Sequence, residues 1–214
     1  MVVDISDVYN RKLDLLRMHA SQFSKTAEGF GVLPLGMNDY LFGLESRDRF
    51  FGSLIGTYLA YKGKSISGPL PHEVFDIPLT SYSAALLLAS SLTMVLALAA
   101  LQQNRIKPAT RWLFVTAMLG LHFVLNQVYE FTSFVLHHNL TLSTSLFGSS
   151  FFVLTGFHGA HVTGGVIWLL ILVMLGMRGK LDARDYTKVE IAGLYWHFVD
   201  IVWIAIFTII YLIP

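Results

Sequence analysis

FFVLTGFHGAHVTGGVIW, residues 151–168, is the stretch that decides the fold of this chain. It is apolar enough to cross a bilayer, yet it carries His158, His161 and five glycines or alanines. Histidine is rare at membrane depth and usually has a specific partner there, whereas small residues let another helix approach closely. The stretch therefore predicts an intramembrane helix with a packing face and buried polar points. A second stretch of the same kind, YWHFVDIVW, follows at residues 195–203.

The composition is that of an integral membrane protein. Hydrophobic residues make up 54% of the 214 residues and charged residues 14%, against about 25% charged residues in a soluble domain. This length leaves room for about five or six membrane spans. The lack of cysteine excludes disulfides, thiolate metal sites and iron–sulfur clusters from this chain. A net charge of +1 argues against a nucleic-acid partner, and the mixed polar start does not resemble a cleavable signal peptide.

The chain divides into a polar N-terminal segment, residues 1–33, and a helix bundle, residues 34–214. Within the polar segment, residues 7–23 are either a short amphipathic helix on the membrane surface or a frayed tail. Residues 34–62 are difficult to assign, because four charges stand within five residues between Glu45 and Arg49, and charges are costly at bilayer depth. This segment is either a span or a short helix that enters from the surface. We favour a span because the charge distribution requires it.

Four further spans are predicted, over residues 77–104 with a helical core at 82–101, then 112–136, 146–177 and 191–214. With five spans, the N-terminal tail and the loops at 105–111 and 178–190 share one side of the membrane. That side carries eleven basic residues, whereas the opposite loops carry only Lys62 and Lys64. The positive-inside rule then places the N-terminus inside and the C-terminus outside. The predicted fold class is thus an all-α, polytopic membrane bundle of about five helices.

Polar residues follow one face of the third span and recur in the last two spans. His122, Asn126 and Glu130 have the spacing i, i+4 and i+8, which places them on one helix face. If the last two spans are antiparallel neighbours, His161 lies level with His197 and His158 level with Asp200. A histidine beside Asp200 would offset the cost of burying that carboxylate.

Each of these groups also has a simpler interpretation. His158 and His161 are either metal or haem ligands or, more often in such helices, structural polar groups. Glu130 and Asp200 belong either to a proton path or to structural hydrogen bonds. The glycines of the fourth span are interpreted as a packing face. The Trp and Tyr residues near the span ends are interpreted as interfacial anchors.

The motifs resemble those of a known family. TGFHGAHVTGG at residues 155–165 is similar to the TGFHGxHV motif of haem–copper oxidase subunit III, and VEIAGLYWHFVDIVW at 189–203 is similar to its C-terminal segment. LFGSSFF, QVYEF and LASSLTM fit the same family. The resemblance covers roughly residues 76–214, and FFGSLIGTYLAY extends it upstream. The chain resembles the short, five-helix bacterial form.

The resemblance implies a non-catalytic subunit of an oxidoreductase complex in the bacterial plasma membrane. Such a subunit binds no haem, copper or other metal itself, because the haems and copper lie on partner subunits. It packs directly on subunit I, in one complex with subunit II, binds phospholipid, and supports proton uptake and activity over many turnovers. The electron donor is cytochrome c or a quinol, with cytochrome c favoured. By this resemblance the residues that shape helix packing and the lipid cleft are Glu130, His158, His161, His197 and Asp200.

The first span departs from the family pattern. A Ser-Glu pair is common there three residues before Phe-Phe, but Ser46 is followed here by Arg47 and preceded by Glu45. Glu45 therefore either takes the role of the lipid-facing glutamate or the feature is lost, and Glu45 joins His122 and Asn126 as a possible site residue. The alternative function for the chain is a stand-alone proton or ion transporter using His122, Glu130, His158 and Asp200. No internal repeat, which is typical of many transporters, is visible.

Overall fold

The computed structural model describes residues 37–64, 75–182 and 185–213. These residues form five α-helices and no strand: α1 (Met37–Tyr61), α2 (Ile77–Gln102), α3 (Ile106–His138), α4 (Leu146–Met177) and α5 (Tyr186–Ile206). A π-helical segment, Phe207–Leu212, continues α5. The predicted surface helix at 7–23, the boundary at residue 33 and most of the loop at 63–76 lie outside the described residues. The prediction of an all-α, polytopic bundle is confirmed.

The helix ends follow local capping chemistry. Asp76 accepts a hydrogen bond from the backbone N–H of Leu79 (3.1 Å), so it caps the N-terminus of α2. Ser145 caps α4 in the same way through the N–H of Gly148 (2.9 Å). At the end of α3, Asn139 adopts a left-handed conformation with φ of 49°, which asparagine tolerates better than most residues.

Helix α4 was predicted with its observed bounds, whereas α3 and α5 begin earlier than predicted. The sequence suggested that the basic residues before Trp112 form a turn, yet α3 already begins at Ile106. Lys107 and Arg111 lie in its first turns, and Pro108 fits there because the first N–H groups of a helix have no intrahelical partner. Charged residues therefore mark the end of the apolar span but do not end the helix.

Four helices form the membrane-crossing part of the bundle. Residues 77–102, 106–137, 146–177 and 186–212 are each long and apolar enough to cross a bilayer. The predicted helix in this region is present as α1, but the charged residues in its first half exclude it from the helices that are apolar enough to cross a bilayer. Its role as a fifth span, and the orientation with the N-terminus inside, remain predictions.

The chain separates into two compact units, of which the second begins at Leu54 and contains the last two turns of α1 and all the following helices. Within it, α2 packs against α3 and α5, and α4 packs against α3 and α5. The four spans thus form a closed ring in which α2 and α4 are diagonal. Among the largest fully buried side chains are Trp196, Phe123 and Phe151. Aromatic side chains of this kind contribute most of the contact area of a core.

Candidate functional site

The two histidines of α4 are held in different ways. His158 is completely buried, and its ring stacks on Trp203 (5.1 Å between centroids) and meets the edge of Phe123 (5.9 Å). His161 is half-buried, and its Nδ1 lies 3.0 Å from the backbone oxygen of Phe157, within hydrogen-bond distance. The hydroxyl of Tyr195 donates to the backbone oxygen of His161 (3.0 Å). This bond shows that α4 and α5 are neighbours at this depth, as predicted.

Two consecutive serines of α2 hold the polar residues of α5. Trp196 donates from Nε1 to Ser90 Oγ (2.8 Å), and this hydroxyl donates to the backbone oxygen of Leu87 (2.6 Å). His197 Nδ1 lies 2.6 Å from Ser91 Oγ, so these two side chains share a hydrogen bond. Interhelical hydrogen bonds of this kind help to join transmembrane helices. His197 therefore joins α5 to α2 rather than to α4.

The Asp200 carboxyl group is buried, with 3% of the residue exposed. Neither of its oxygens accepts a hydrogen bond within the described part of the chain; Ser91 is its polar neighbour on α2, but outside hydrogen-bond geometry. His158 and Asp200 therefore share no hydrogen bond in the described part of the chain, and the hypothesis that His158 relieves the burial of Asp200 stays a prediction. On α5 it is Trp203, one turn after Asp200, whose ring stacks on His158.

The polar residues of α3 share one face, as predicted, and this face is directed at α2. Glu130 accepts a hydrogen bond from Thr80 Oγ1 (2.8 Å), and the Tyr211 hydroxyl lies 3.5 Å from its second oxygen. Asn126 donates from Nδ2 to Ser83 Oγ (3.0 Å). His122 is exposed and meets Tyr82 edge to face, with 5.9 Å between ring centroids.

Gly159 and Gly165 of α4 pack closely against α3 and α5, which confirms the packing face for these two glycines. A Cβ added to Gly165 would lie 2.8 and 2.9 Å from two ring carbons of Trp196. One added to Gly159 would lie 2.5 Å from Gln127 Oε1, whose side chain also donates from Nε2 to the backbone oxygen of Thr155 (2.9 Å). The rigid Trp196 ring favours a residue without a side chain at Gly165, whereas the end of the Gln127 side chain would have to move to admit one at Gly159.

Several residues of this network were missed by the sequence reasoning. They are hydroxyl- or amide-bearing side chains inside apolar spans, at positions where they bond to another helix: Thr80, Ser83, Ser90, Ser91, Gln127 and Tyr211. Ser90 and Ser91 stand in LASSLTM, which was noticed only as part of the resemblance. A search for hydroxyls in the middle of each span would have found Ser90 and Ser91, but not their partners.

Among the described residues, the ionisable side chains do not form an evident metal-binding site. In the part of the chain that the structure describes, no three His, Cys, Asp or Glu side chains are grouped so that they could hold a metal ion. His158, His161, His197 and Glu130 each contact groups on neighbouring helices or on their own helix. Glu45 lies in α1, but its side chain falls outside the described residues.

An open groove lies between the last turns of α1 and the first turns of α4. It has a volume of about 250 Å³ and is lined by Leu54, Thr57, Tyr61, Leu146, Ser149, Ser150 and Val153. The Ser149 and Ser150 hydroxyls donate to backbone oxygens, including those of Leu142 and Leu146. The groove surface is therefore mainly apolar.

These observations define a class of protein: a polytopic helical membrane protein whose buried polar side chains join its helices. A family model described as cytochrome c oxidase subunit III matches residues 62–213. The chain is 38% identical over 204 residues to cytochrome c oxidase subunit 3 of Bacillus sp. (strain PS3), which covers 91% of this chain and 98% of the relative.

Of two other relatives, one carries the same name and one a different name. Cytochrome c oxidase subunit 3 of Alkalihalophilus pseudofirmus is 38% identical over 180 residues, which covers 83% of this chain and 87% of the relative. Quinol oxidase subunit 3 of Bacillus subtilis (strain 168) is 42% identical over 163 residues, covering 76% and 79%. The chain belongs to the haem–copper oxidase subunit III family, as its motifs suggested. It is an accessory subunit of such an oxidase and a multi-pass protein of the bacterial plasma membrane.

Proposed function

We propose that this chain packs directly on subunit I of a terminal respiratory oxidase that reduces oxygen and pumps protons. Subunit II and the remaining subunits belong to the same complex. In this proposal the chain performs no redox chemistry, the haems and copper lie on its partners, and it maintains proton uptake and activity over many turnovers. The proposal rests on membership of the subunit III family.

The non-catalytic role is supported by the contacts that polar side chains of the family motifs make with neighbouring helices. Trp196 and His197 bond to serines of α2. His158 is enclosed by the rings of Trp203 and Phe123. These contacts fix the positions of four helices relative to one another. We infer that His158, His161, His197, Asp200 and Glu130 act by shaping the bundle, not by reacting.

Phospholipid binding is the second part of the proposal. The groove between α1 and α4 offers an open, mainly apolar surface, which suits an acyl chain. The hydroxyls along it already donate to backbone oxygens, so an acyl chain would leave few polar groups without a partner there. A lipid held in this groove would contact both helices at once and stabilise their packing.

The electron donor that we propose is cytochrome c. The choice follows the two longest of the matches reported above, which are to cytochrome c oxidase subunits and cover 91% and 83% of this chain at 38% identity; the quinol oxidase subunit matches 76% of the chain at 42% identity. The donor site itself would lie on other subunits. Oxidation of reduced cytochrome c by the purified complex tests this choice, and a complex that oxidises only quinol would contradict it.

Oxygen uptake over many turnovers tests the accessory role. The purified complex is compared with and without this chain. The depleted complex should start at nearly the full rate and then inactivate early, because the missing subunit stabilises it and does not carry the chemistry. An initial rate of zero with an altered haem spectrum would show that this chain takes part in the chemistry.

Two substitutions refine this test. His158→Ala and Asp200→Ala should loosen assembly or shorten the active lifetime while the initial rate stays largely intact. Ile201→Ala is the matched control, because Ile201 follows Asp200 directly and is 66% exposed. Loss of the haem spectrum in a normally assembled variant would contradict the proposal.

The transporter alternative receives no support from the relatives described above, which are named as oxidase subunits. Co-purification separates the two functions. Haem absorbance in the particle that contains this chain supports the oxidase subunit, and a haem-free particle would refute it.

A further inference from the structure

Glu130 of α3 is a buried acid that faces uncharged groups. It is 6% exposed, and its two carboxyl oxygens lie 2.8 Å from the Thr80 hydroxyl and 3.5 Å from the Tyr211 hydroxyl. Within the described part of the chain no basic side chain forms an ion pair with it, and the nearby charged group is another acid, Asp76. A carboxylate here would be buried without a counter-charge, which is strongly unfavourable.

Aromatic rings form an apolar boundary between Glu130 and the near end of the bundle. Phe134 follows Glu130 by one turn of α3 and so lies on the same helix face. Phe75 directly precedes the cap of α2. The two phenylalanine rings are 5.9 Å apart, and the Phe75 ring lies 4.3 Å from the ring of Tyr211. These surroundings favour an uncharged carboxyl group.

The number of hydrogen atoms in the site also favours a protonated Glu130. Thr80 Oγ1 lies 2.8 Å from Glu130 Oε1 and 2.9 Å from the backbone oxygen of Asp76, but a threonine hydroxyl has only one hydrogen. If Glu130 is a carboxylate, this hydrogen serves one of the two oxygens and the other contact contains none. If Glu130 is a carboxylic acid, it donates to Thr80 and Thr80 donates to Asp76, so each contact contains one hydrogen.

We propose that Glu130 carries a proton in the assembled protein and that this proton links α3 to the start of α2. The acid donates to the Thr80 hydroxyl, and this hydroxyl donates to the backbone of Asp76. The Tyr211 hydroxyl contacts the second carboxyl oxygen from the end of the π-helical segment. The inference concerns contacts within this chain, so it goes beyond the proposed function and does not depend on it.

The groups around Glu130 make this link sensitive to alkaline pH. The titratable neighbours are Asp76 before α2, Tyr211 after α5, and Tyr58 of α1, which lies near Tyr211. From α4 the site receives the ring of Phe151, 6.1 Å from that of Tyr211. The titratable neighbours are all acids, so none of them can neutralise an ionised Glu130.

Loss of the proton from Glu130 therefore has two effects on the link. It leaves a buried charge, and it draws the hydrogen of the Thr80 hydroxyl away from the backbone oxygen of Asp76. Both effects weaken the contact between α3 and the first turn of α2. We expect this turn to open more often at alkaline pH.

Infrared difference spectra of the intact oxidase test the proton on Glu130. A protonated carboxyl group has a carbonyl band apart from those of carboxylates and amides. At mildly acidic pH, where an ordinary glutamate is already ionised, the wild-type spectrum minus that of Glu130→Gln should contain one acid band. The bands of other acids cancel, and glutamine can still donate to Thr80. Asp76→Asn is the control: Asp76 is exposed, so a carboxylate band should disappear instead. Loss of a carboxylate band in Glu130→Gln would overturn the proposal.

A second pair of variants leaves Glu130 in place and covers the case in which Glu130→Gln does not assemble. Thr80→Val should shift the acid band, because the protonated carboxyl group loses its hydrogen-bond partner. Thr80→Ser should return the band to its wild-type position, because serine restores the hydroxyl. An acid band that does not respond to Thr80→Val would overturn the proposed link.

Hydrogen exchange in the intact oxidase tests the response to alkaline pH. The Thr80 amide donates to Asp76 at the start of α2 (3.0 Å), and the Ser149 amide donates to Ser145 at the same position of α4 (3.0 Å). Above neutral pH, after correction for intrinsic exchange, Thr80 should lose protection on the order of tenfold, as for one lost hydrogen bond. Ser149 should keep its protection, and Glu130→Gln should abolish the loss at Thr80. Equal loss at both amides, or a loss that persists in Glu130→Gln, would overturn the pH-sensitive link.

Discussion

At the scale of single residues, Trp196 joins three other helices. It is fully buried, donates its indole N–H to Ser90 of α2, and covers Gly120 of α3 and Gly165 of α4. A large ring with one polar atom needs both apolar contact and a hydrogen-bond acceptor when it is buried. The two glycines and the serine meet these needs together.

Adjacent glycines of α4 provide a matched pair of substitutions. Gly165→Ala should destabilise the bundle by about 1–3 kcal/mol, because the new methyl group would overlap the Trp196 ring. Gly164→Ala should be neutral or stabilising by up to about 1 kcal/mol, because its nearest neighbour is the Tyr195 hydroxyl at 3.8 Å and alanine favours helix. Unfolding in detergent measures both changes. Equal stability of the two variants would contradict the packing described here.

At the scale of elements, the start of α5 depends on an ion pair outside the apolar span. Asp185 precedes the helix and lies 2.7 Å from Lys188 Nζ, and its carboxylate accepts a hydrogen bond from the N–H of Asp182 (3.0 Å). Partial burial by itself would raise the pKa of Asp185, but the hydrogen bond from Lys188, the bond from Asp182 and the charge of Lys188 together lower it.

This lowered pKa predicts how the start of α5 responds to acid. The stabilisation is complete above the unfolded value near 3.8 and is lost as the pH falls through the lower folded pKa, because the protonated carboxyl gives up the ion pair. The amide of Asp182 should lose hydrogen-exchange protection over that range, after correction for intrinsic exchange. Asp185→Asn should remove this pH dependence, and an unchanged profile would refute the assignment.

The end of the last helix depends on a lysine from the end of α1. Lys62 donates from Nζ to the backbone oxygens of Ile213 (2.6 Å) and Ile209 (3.3 Å), and so satisfies carbonyls that the π-helical segment leaves open. Lys62→Met should increase hydrogen exchange of the Ile213 amide, which donates to Thr208 (3.1 Å). Lys64→Met is the control because Lys64 is exposed. Equal exchange in both variants would argue against this cap.

At the scale of the whole molecule, the orientation in the membrane is the main open prediction. The chain contains no cysteine, so labelling of a single introduced cysteine shows on which side of the membrane that position lies. With an impermeant maleimide on spheroplasts, Ser143→Cys should be labelled in intact cells, whereas Lys180→Cys should react only after permeabilisation. Both positions are exposed. The reverse pattern would place the N-terminus outside and contradict the distribution of basic residues.

The sequence by itself determined the membrane class, the four apolar helices and the small-residue face of α4. These properties follow from local composition and from the 3.6-residue period, which any stretch carries independently of the rest of the chain. The face shared by His122, Asn126 and Glu130 was predictable for the same reason. The family motifs likewise lie in continuous stretches, so the family could be predicted before any contact was known.

Only the tertiary structure decided which partner each polar residue meets. The sequence places Asp200 level with His158, but in the structure the ring of His158 stacks on Trp203, and the polar neighbour of Asp200 is Ser91 of α2. Depth follows from counting residues, whereas rotation follows from the packing of several helices at once. For the same reason Ser90 and Ser91 could not be assigned as the partners of Trp196 and His197 until the ring of four helices was known.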